Sequence, residues 1–302
     1  MNSAKLLQET SAEDLYEQSK RRLREVIGLG TGAIEIKSGY GLTLEAELKM
    51  LRVIKQLASE FSLPIRSTFL GAHAFPSEYK NNKQGYIDLL INELLPAIAK
   101  ENLADYVDVF CEEGYFSVAD TEQIVTAAKK HGLPAKLHVN QFNSIGGVGL
   151  GVRTGALSVD HLEVMRDEDF NVLADSNTMP VALPACSYFL GIPYTPARKM
   201  IDDSLALALA SDYNPGSCPS GNMNFVVATA CIKMGMLPEE AINAATINGA
   251  YAMGLDGKVG AISKGYQANI MMTRDIPSFS FIPYSFGSNL IDKVYLNGNE
   301  VN

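Results

Sequence analysis

Ala135-Lys136-Leu137-His138-Val139 and Leu157-Ser158-Val159-Asp160-His161 are two short, mostly apolar runs, each placing a histidine at or next to its end. Runs of this length with longer helical sequence between them are how buried strands of a parallel sheet appear. The pattern extends in both directions. Ala33-Ile34-Glu35-Ile36-Lys37, Ile65-Arg66-Ser67-Thr68-Phe69-Leu70 and Tyr106-Val107-Asp108-Val109-Phe110 precede the pair, and Val181-Ala182-Leu183 and Leu207-Ala208-Leu209-Ala210-Ser211 follow it. Successive runs begin about 20 to 40 residues apart, which suits βα units and excludes hairpin-linked sandwiches.

The intervening segments carry helix signals. Ser11 with Asp14 forms a capping box, Asp120 and Glu122 open a helix that stops at Gly132, and Pro238-Glu239-Glu240 starts another. Gly28, Gly30 and Gly32 end a helix and precede a strand, the reverse of a dinucleotide-binding glycine loop, so they read as a helix stop. Alternating strand and helix predicts the α/β class and a (β/α)₈ barrel. Seven runs are one short of closure, and because the chain opens with a helix the missing strand would be the first. From Lys258 onward short pieces such as Asn269-Ile270-Met271-Met272 and Asp292-Lys293-Val294-Tyr295-Leu296 alternate with turn signals, Asn297-Gly298 among them. Residues 1–255 are therefore expected to form the barrel and 256–302 part of a small β-sandwich.

Composition narrows the function. The chain has 302 residues, 47% of them hydrophobic, enough for one large core, and a net charge of −9 that disfavours nucleic acid as a partner. The basic run Lys20-Arg21-Arg22-Leu23-Arg24 follows Glu13, Asp14 and Glu17 and reads as a solvated helix face. Cys111, Cys186, Cys218 and Cys231 are widely spaced, as expected of reduced thiols. Neither a signal peptide nor an apolar run of transmembrane length is legible, so a cytoplasmic protein without membrane partners is expected.

In a barrel of this kind the chemistry lies at the C-terminal ends of the strands. His138, His161 and Asp212 occupy such positions, with Tyr40 and His73 just beyond the first two strands. Two imidazoles and a carboxylate facing one mouth have the donor character of a zinc or iron site, and a metal there would activate water for hydrolysis. Each residue also has a plainer reading. The histidines can be hydrogen-bonded core residues, Asp212 can begin the turn Ser211-Asp212-Tyr213-Asn214-Pro215-Gly216-Ser217, and His131 sits at a helix end. Lys37 reads as a salt-bridge or loop anchor more readily than as a Schiff-base amine.

At these residues the sequence resembles the imidazolonepropionase family of the amidohydrolase superfamily. The resemblance runs from about residue 10 to the C-terminus and is dense in four segments: Glu35-Ile36-Lys37-Ser38-Gly39-Tyr40-Gly41-Leu42, Phe69 to Tyr79, Lys136-Leu137-His138-Val139-Asn140-Gln141-Phe142 with Gly146-Gly147, and Ser211 to Ser217. It implies His138 and Asp212 as ligands of one zinc or iron ion, and Asp212 as the proton shuttle. His161 would polarise the substrate carbonyl or hold the water, and Tyr40, His73, Gln141, Asn214, Gly216 and Ser217 would contact substrate. The implied reaction is hydrolysis of the ring amide of 4-imidazolone-5-propanoate to N-formimidoyl-L-glutamate, with a homodimer among the arrangements open to the enzyme.

Two departures bear on this. Gln141 stands where many relatives have Glu, which leaves base chemistry to Asp212. The family's first strand, with its His-x-His ligand pair and a carboxylate-binding Arg, has no counterpart, so a chain beginning inside the family, with weakened metal binding and reduced or absent activity, is expected. Two alternatives stand beside this reading: another amidohydrolase or deaminase of a cyclic amide or amidine, and a folded, non-catalytic remnant.

Overall fold

The computed structural model describes residues 2–301. All seven runs form strands: β1 (Ile34–Lys37), β2 (Ile65–Ala72), β3 (Tyr106–Cys111), β4 (Ala135–Val139), β5 (Ser158–His161), β6 (Met179–Ala182) and β7 (Ala208–Leu209). They pair in parallel in chain order, leaving β1 and β7 as the two edges. The sheet is strongly curled. Four inter-strand spacings would set β1 and β5 about 19 Å apart in a flat sheet, yet Lys37 Nζ on β1 lies 3.6 Å from Asp160 Oδ2 on β5. The seven strands thus form the curved half-barrel of the expected (β/α)₈ architecture.

The two-residue period of a strand sorts the side chains. Val107, Val109, Cys111, Ala135, Leu137 and Val139 join the apolar core that also takes Ile124 and Ala128 from the flanking helix Val118–Lys130. Asp108, Phe110, Lys136 and His138 take the opposite face, inside the curl. That helix begins earlier than expected. Ser117 is its N-cap, and Asp120 is the capping-box partner that accepts the Ser117 N–H at 2.9 Å. Helix Ala12–Gly28 starts as read, with Ser11 Oγ accepting the Asp14 N–H at 3.0 Å.

A second sheet is antiparallel: β8 (Ile270–Thr273), β9 (Ile291–Leu296) and β10 (Asn299–Glu300) in the order β10-β9-β8. Its hairpin turns at Asn297 and Gly298, both with positive φ, the requirement of a type I′ turn. Ile291, Val294 and Leu296 pack on Leu23, Val26 and Ile27 of helix Ala12–Gly28 and on Val53 and Leu57 of helix Leu44–Glu60. The N-terminal end of the parallel strands is covered by Ala252–Gly254. Tyr106 donates its hydroxyl to the Met253 carbonyl at 2.8 Å, and Arg66 donates to the Met253 and Gly254 carbonyls.

Inside the curl the chain buries charge. Lys37 Nζ lies 2.7 Å from Glu35 Oε1 and 2.8 Å from Asp108 Oδ2, while Lys136 bonds Glu35 Oε2 and the Ala252 carbonyl. Burial works against charge on Glu35, but Lys136 and Lys37 hold its pKa down at about 2. Burial likewise works against the ammonium of Lys37, and Asp108, Glu35 and Asp160 more than offset it, so its pKa lies well above the ordinary lysine value. Its contacts make Lys37 the salt-bridge residue the sequence suggested. Glu35→Gln leaves Lys136 with the Ala252 carbonyl and is expected to cost about 3–5 kcal/mol in urea unfolding. Since Glu35 falls from 4.5 to about 2 on folding, its contribution is complete above the unfolded value and is lost as pH drops toward about 2. Urea midpoints compared at about pH 7 and about pH 3 should accordingly fall further for the unaltered chain than for Glu35→Gln.

Candidate active site

Leu42, Asn140, His161, Leu162 and Asp212 all have positive φ, and all lie at or just past the C-terminal ends of β1, β4, β5 and β7. Left-handed backbone costs non-glycine residues of order 1–3 kcal/mol each and persists where surrounding bonds over-determine it, commonly at functional sites. Here the conformation does identifiable work. Asp160 points inward toward Lys37, so strict alternation would send His161 outward; its φ of 86° lets the ring lie 5.2 Å from that of His138.

The residues expected at the mouth are brought together there. Tyr40 meets His73 edge-on at 5.2 Å, His73 lies 6.0 Å from Phe110, and Phe110 lies 6.3 Å from His138. Asp212, from the far edge strand, is close enough for its charge to act on Tyr40, His73 and His161. Gln141 is buried and points its amide at Cys186 Sγ, 3.6 Å away. Asn214 builds its own turn: Oδ1 accepts the Gly216 and Ser217 N–H groups at 2.8 Å, and Nδ2 donates to the Asp212 carbonyl at 2.7 Å and to Ser217 Oγ at 2.8 Å. Ser217 Oγ then donates to Asp212 Oδ2 at 3.2 Å. The turn reading and the site reading of this segment are thus one structure, with Asn214 as turn-former and Asp212 as the side chain it fixes.

Burial and neighbours set the protonation states. Burial, helped by nearby His138, pushes His73 down to about 4, so its imidazole is neutral at pH 7. Burial and the Asp212 charge push Tyr40 up to about 12, so its phenol keeps its proton. Burial acts to lower His161, but the carboxylate of Glu163, 3.4 Å from Nδ1, together with the charges of Asp212 and Asp160, more than offsets it and raises the pKa. Ser187 Oγ donates to the same Glu163 oxygen at 3.0 Å, and Thr195 Oγ1 donates to the His161 carbonyl at 2.7 Å.

His138 Nδ1 lies 3.0 Å from the fully buried Asp108 carboxylate, an arrangement that leaves Nε2 as the ring's other donor atom. His138 and Asp212 are of the nitrogen and oxygen donor types that suit zinc or iron; among the described residues, the group whose ligand atoms draw together is a different one. This cluster, Asp108, His138 and Asp160, has its ligand atoms within 4.8 Å of one another. Lys37 already places its ammonium against both of those carboxylates, so the deeper cluster reads as a salt-bridged floor that supports His138 from beneath.

Comparison with known proteins decides the family. Residues 6–301 match the model of the amidohydrolase family. The imidazolonepropionases of Christiangramia forsetii and Flavobacterium johnsoniae are each 67% identical over 298 residues, covering 99% of this chain and 72% of theirs. The chain is an imidazolonepropionase-family amidohydrolase. Among solved structures, guanine deaminase of C. acetobutylicum superposes with a TM-score of 0.75 at 17% identity, covering 99% of this chain and 78% of its own. The E. coli guanine deaminase gives 0.76 at 12% identity, covering 98% and 76%. At such identities the likeness establishes the fold alone.

The fold also shows what motif reading missed in this imidazolonepropionase-family chain: the buried carboxylates under and around the mouth. Glu112 accepts the N–H groups of Phe142 at 3.0 Å and Asn143 at 3.3 Å, and Asp169 accepts from Asn140, Ser144 and Arg166. Asp108 and Asp160 were detectable in principle, as charged residues alternating with apolar ones inside strands; Glu112, Glu163 and Asp169 carry no comparable signal. Asn214→Ala removes four hydrogen bonds, two of them from the Gly216 and Ser217 amides. Because water can reach these amides, it is expected to cost about 0.5–1.5 kcal/mol in urea unfolding, with faster amide exchange confined to residues 212–218.

Proposed function

We propose that the chain hydrolyses the ring amide of 4-imidazolone-5-propanoate, yielding N-formimidoyl-L-glutamate in histidine degradation. The carrying observation is the convergence of His138, His161 and Asp212 beside a neutral His73 and a protonated Tyr40, in a member of the imidazolonepropionase family. Asp212 removes a proton from the attacking water as its oxygen bonds to the ring carbonyl carbon, then delivers that proton to the ring nitrogen as the C–N bond breaks. His161, kept basic by Glu163, donates to the carbonyl oxygen where negative charge develops. His73 and Tyr40 offer hydrogen-bond donors to the propanoate and ring, and Gln141 with the Asn214–Ser217 turn lines the rest of the pocket. A zinc or iron ion held by His138 and Asp212 would add Lewis-acid polarisation of the carbonyl and acidify the water.

We read the same chain as a cytoplasmic enzyme, with residues 1–255 as its barrel unit and 256–302 as its β appendage. No helix among the described residues is long and apolar enough to cross a membrane, and the four cysteines are unpaired. The test is turnover of 4-imidazolone-5-propanoate, followed by loss of imidazolone absorbance and by product mass. Asp212→Asn should lower kcat by about 10²–10⁴-fold, and a chelator should abolish turnover until zinc or iron is restored. Ammonia release from a cyclic amidine, with no opening of the imidazolone ring, would replace this reading with a deaminase.

A further inference from the structure

The loop after β1, Ser38–Leu42, is wrapped around a carboxylate that belongs to none of the groups above. Glu47, in the first turn of helix Leu44–Glu60, is fully buried. Its Oε1 accepts the N–H groups of Gly41 at 2.7 Å and Leu42 at 3.0 Å, and its Oε2 accepts the N–H of Gly39 at 2.9 Å. At the start of the loop, Ser38 Oγ accepts the Leu70 N–H of β2 at 3.1 Å. Three amides converging on one anion form a nest, and such a nest exists only in a backbone that reverses hand. Gly39 at φ 109° and Leu42 at φ 57° supply the reversals.

The loop has little freedom to settle elsewhere. A Cβ at Gly39 would stand 2.6 Å from the Leu70 carbonyl, and one at Gly41 would stand 2.7 Å from the backbone of Ala46 and Glu47. From outside, Gln8 donates to the Gly41 carbonyl at 2.8 Å. Tyr40 sits at the apex, between two amides that Glu47 holds. His73 meets the same loop through Tyr40, whose ring lies edge-on 5.2 Å from its own.

We infer that Glu47 is a positioning residue for substrate binding: its buried carboxylate sets the Gly39–Leu42 backbone, and through it aims both Tyr40 and His73 at the ligand. The inference rests on the reading of Tyr40 and His73 as substrate contacts. Its consequence is that one carboxylate outside the pocket controls two of the pocket's polar contacts. A glutamine at this position offers one carbonyl oxygen and presents an NH₂ group to amides that need acceptors. An aspartate keeps the charge and both oxygens on a stem one methylene shorter.

The probe is 3-(imidazol-4-yl)propanoate, which has the ring and carboxylate but no ring carbonyl to hydrolyse. Binding is measured by calorimetry on the full chain, its Glu47→Gln and Glu47→Asp variants, a Tyr40→Phe/His73→Asn variant, and that variant carrying Glu47→Gln. Amide exchange and thermal melting are recorded for each. Glu47→Gln should weaken the probe at least about tenfold and speed exchange at Gly39, Gly41 and Leu42, with Glu47→Asp recovering most of the affinity. With Tyr40 and His73 already altered, Glu47→Gln should change affinity less than about twofold. In turnover the loss should fall on KM rather than kcat. Should Glu47→Gln be too unstable to purify, Glu47→Asp decides: partial loss of affinity with matching loop exchange supports the role, and unchanged affinity beside deprotected loop amides overturns it. If Glu47→Gln binds as the unaltered chain does while Tyr40→Phe/His73→Asn binds weakly, the positioning role falls and the site reading stands. If the Tyr40/His73 variant binds normally, or the unaltered chain does not bind, the site reading falls and the positioning role falls with it.

Discussion

The interior of the curled sheet is held by a charge cluster that no single residue could sustain. Lys37 and Lys136 are surrounded by Glu35, Asp108 and Asp160 from three different strands, and each of these ions is affordable in a buried site only because the others are present. The cluster ties β1 to β3, β4 and β5 across the curl, in directions the ladder hydrogen bonds do not reach. It also fixes the height of the site. His138 stands directly above it on β4, with Nδ1 against Asp108, so the charged floor and the reactive rim are consecutive inward positions of the same strands.

Above the floor the construction changes from ion pairs to anion nests. Glu47, Glu112 and Asp169 are buried carboxylates whose partners include backbone amides of the loops that follow β1, β4 and β5. A loop at a barrel mouth cannot satisfy its amides through a ladder, and burial denies it water. An internal carboxylate does both jobs, pairing the amides and locking the loop in a left-handed conformation that would otherwise relax. The residues proposed to contact substrate, Tyr40, Gln141 and His161, sit in or next to such held segments. Rigidity at the mouth is thus achieved by buried acidic residues whose oxygens are committed to loop amides.

Much of this was legible in the chain. The seven strands follow from apolar runs separated by helical sequence, and His138, His161, Asp212, Tyr40 and His73 follow from asking which polar residues stand at strand ends. The reading was weaker where pairing is local and unpatterned. Ser117 caps the helix expected to start at Asp120, because capping depends on which residue leaves the helical backbone, and Ser117 and Asp120 share that role in a reciprocal box. Glu47, Glu112, Glu163 and Asp169 look in sequence like the solvated acidic residues that net charge −9 makes common. Only folding removes them from water.

What the sequence alone determined is the order of strands, the positions at their C-terminal ends and the family signature, since each is encoded by periodicity or by contiguous residues. What the tertiary structure decided is which charges became a floor, which became loop clamps and which stand at the mouth. Those assignments depend on the curl that brings Lys37 Nζ of β1 to within 3.6 Å of Asp160 Oδ2 of β5, and on the left-handed step that turns His161 toward His138. Neither is written in any local stretch, because both arise from contacts between residues far apart in the chain.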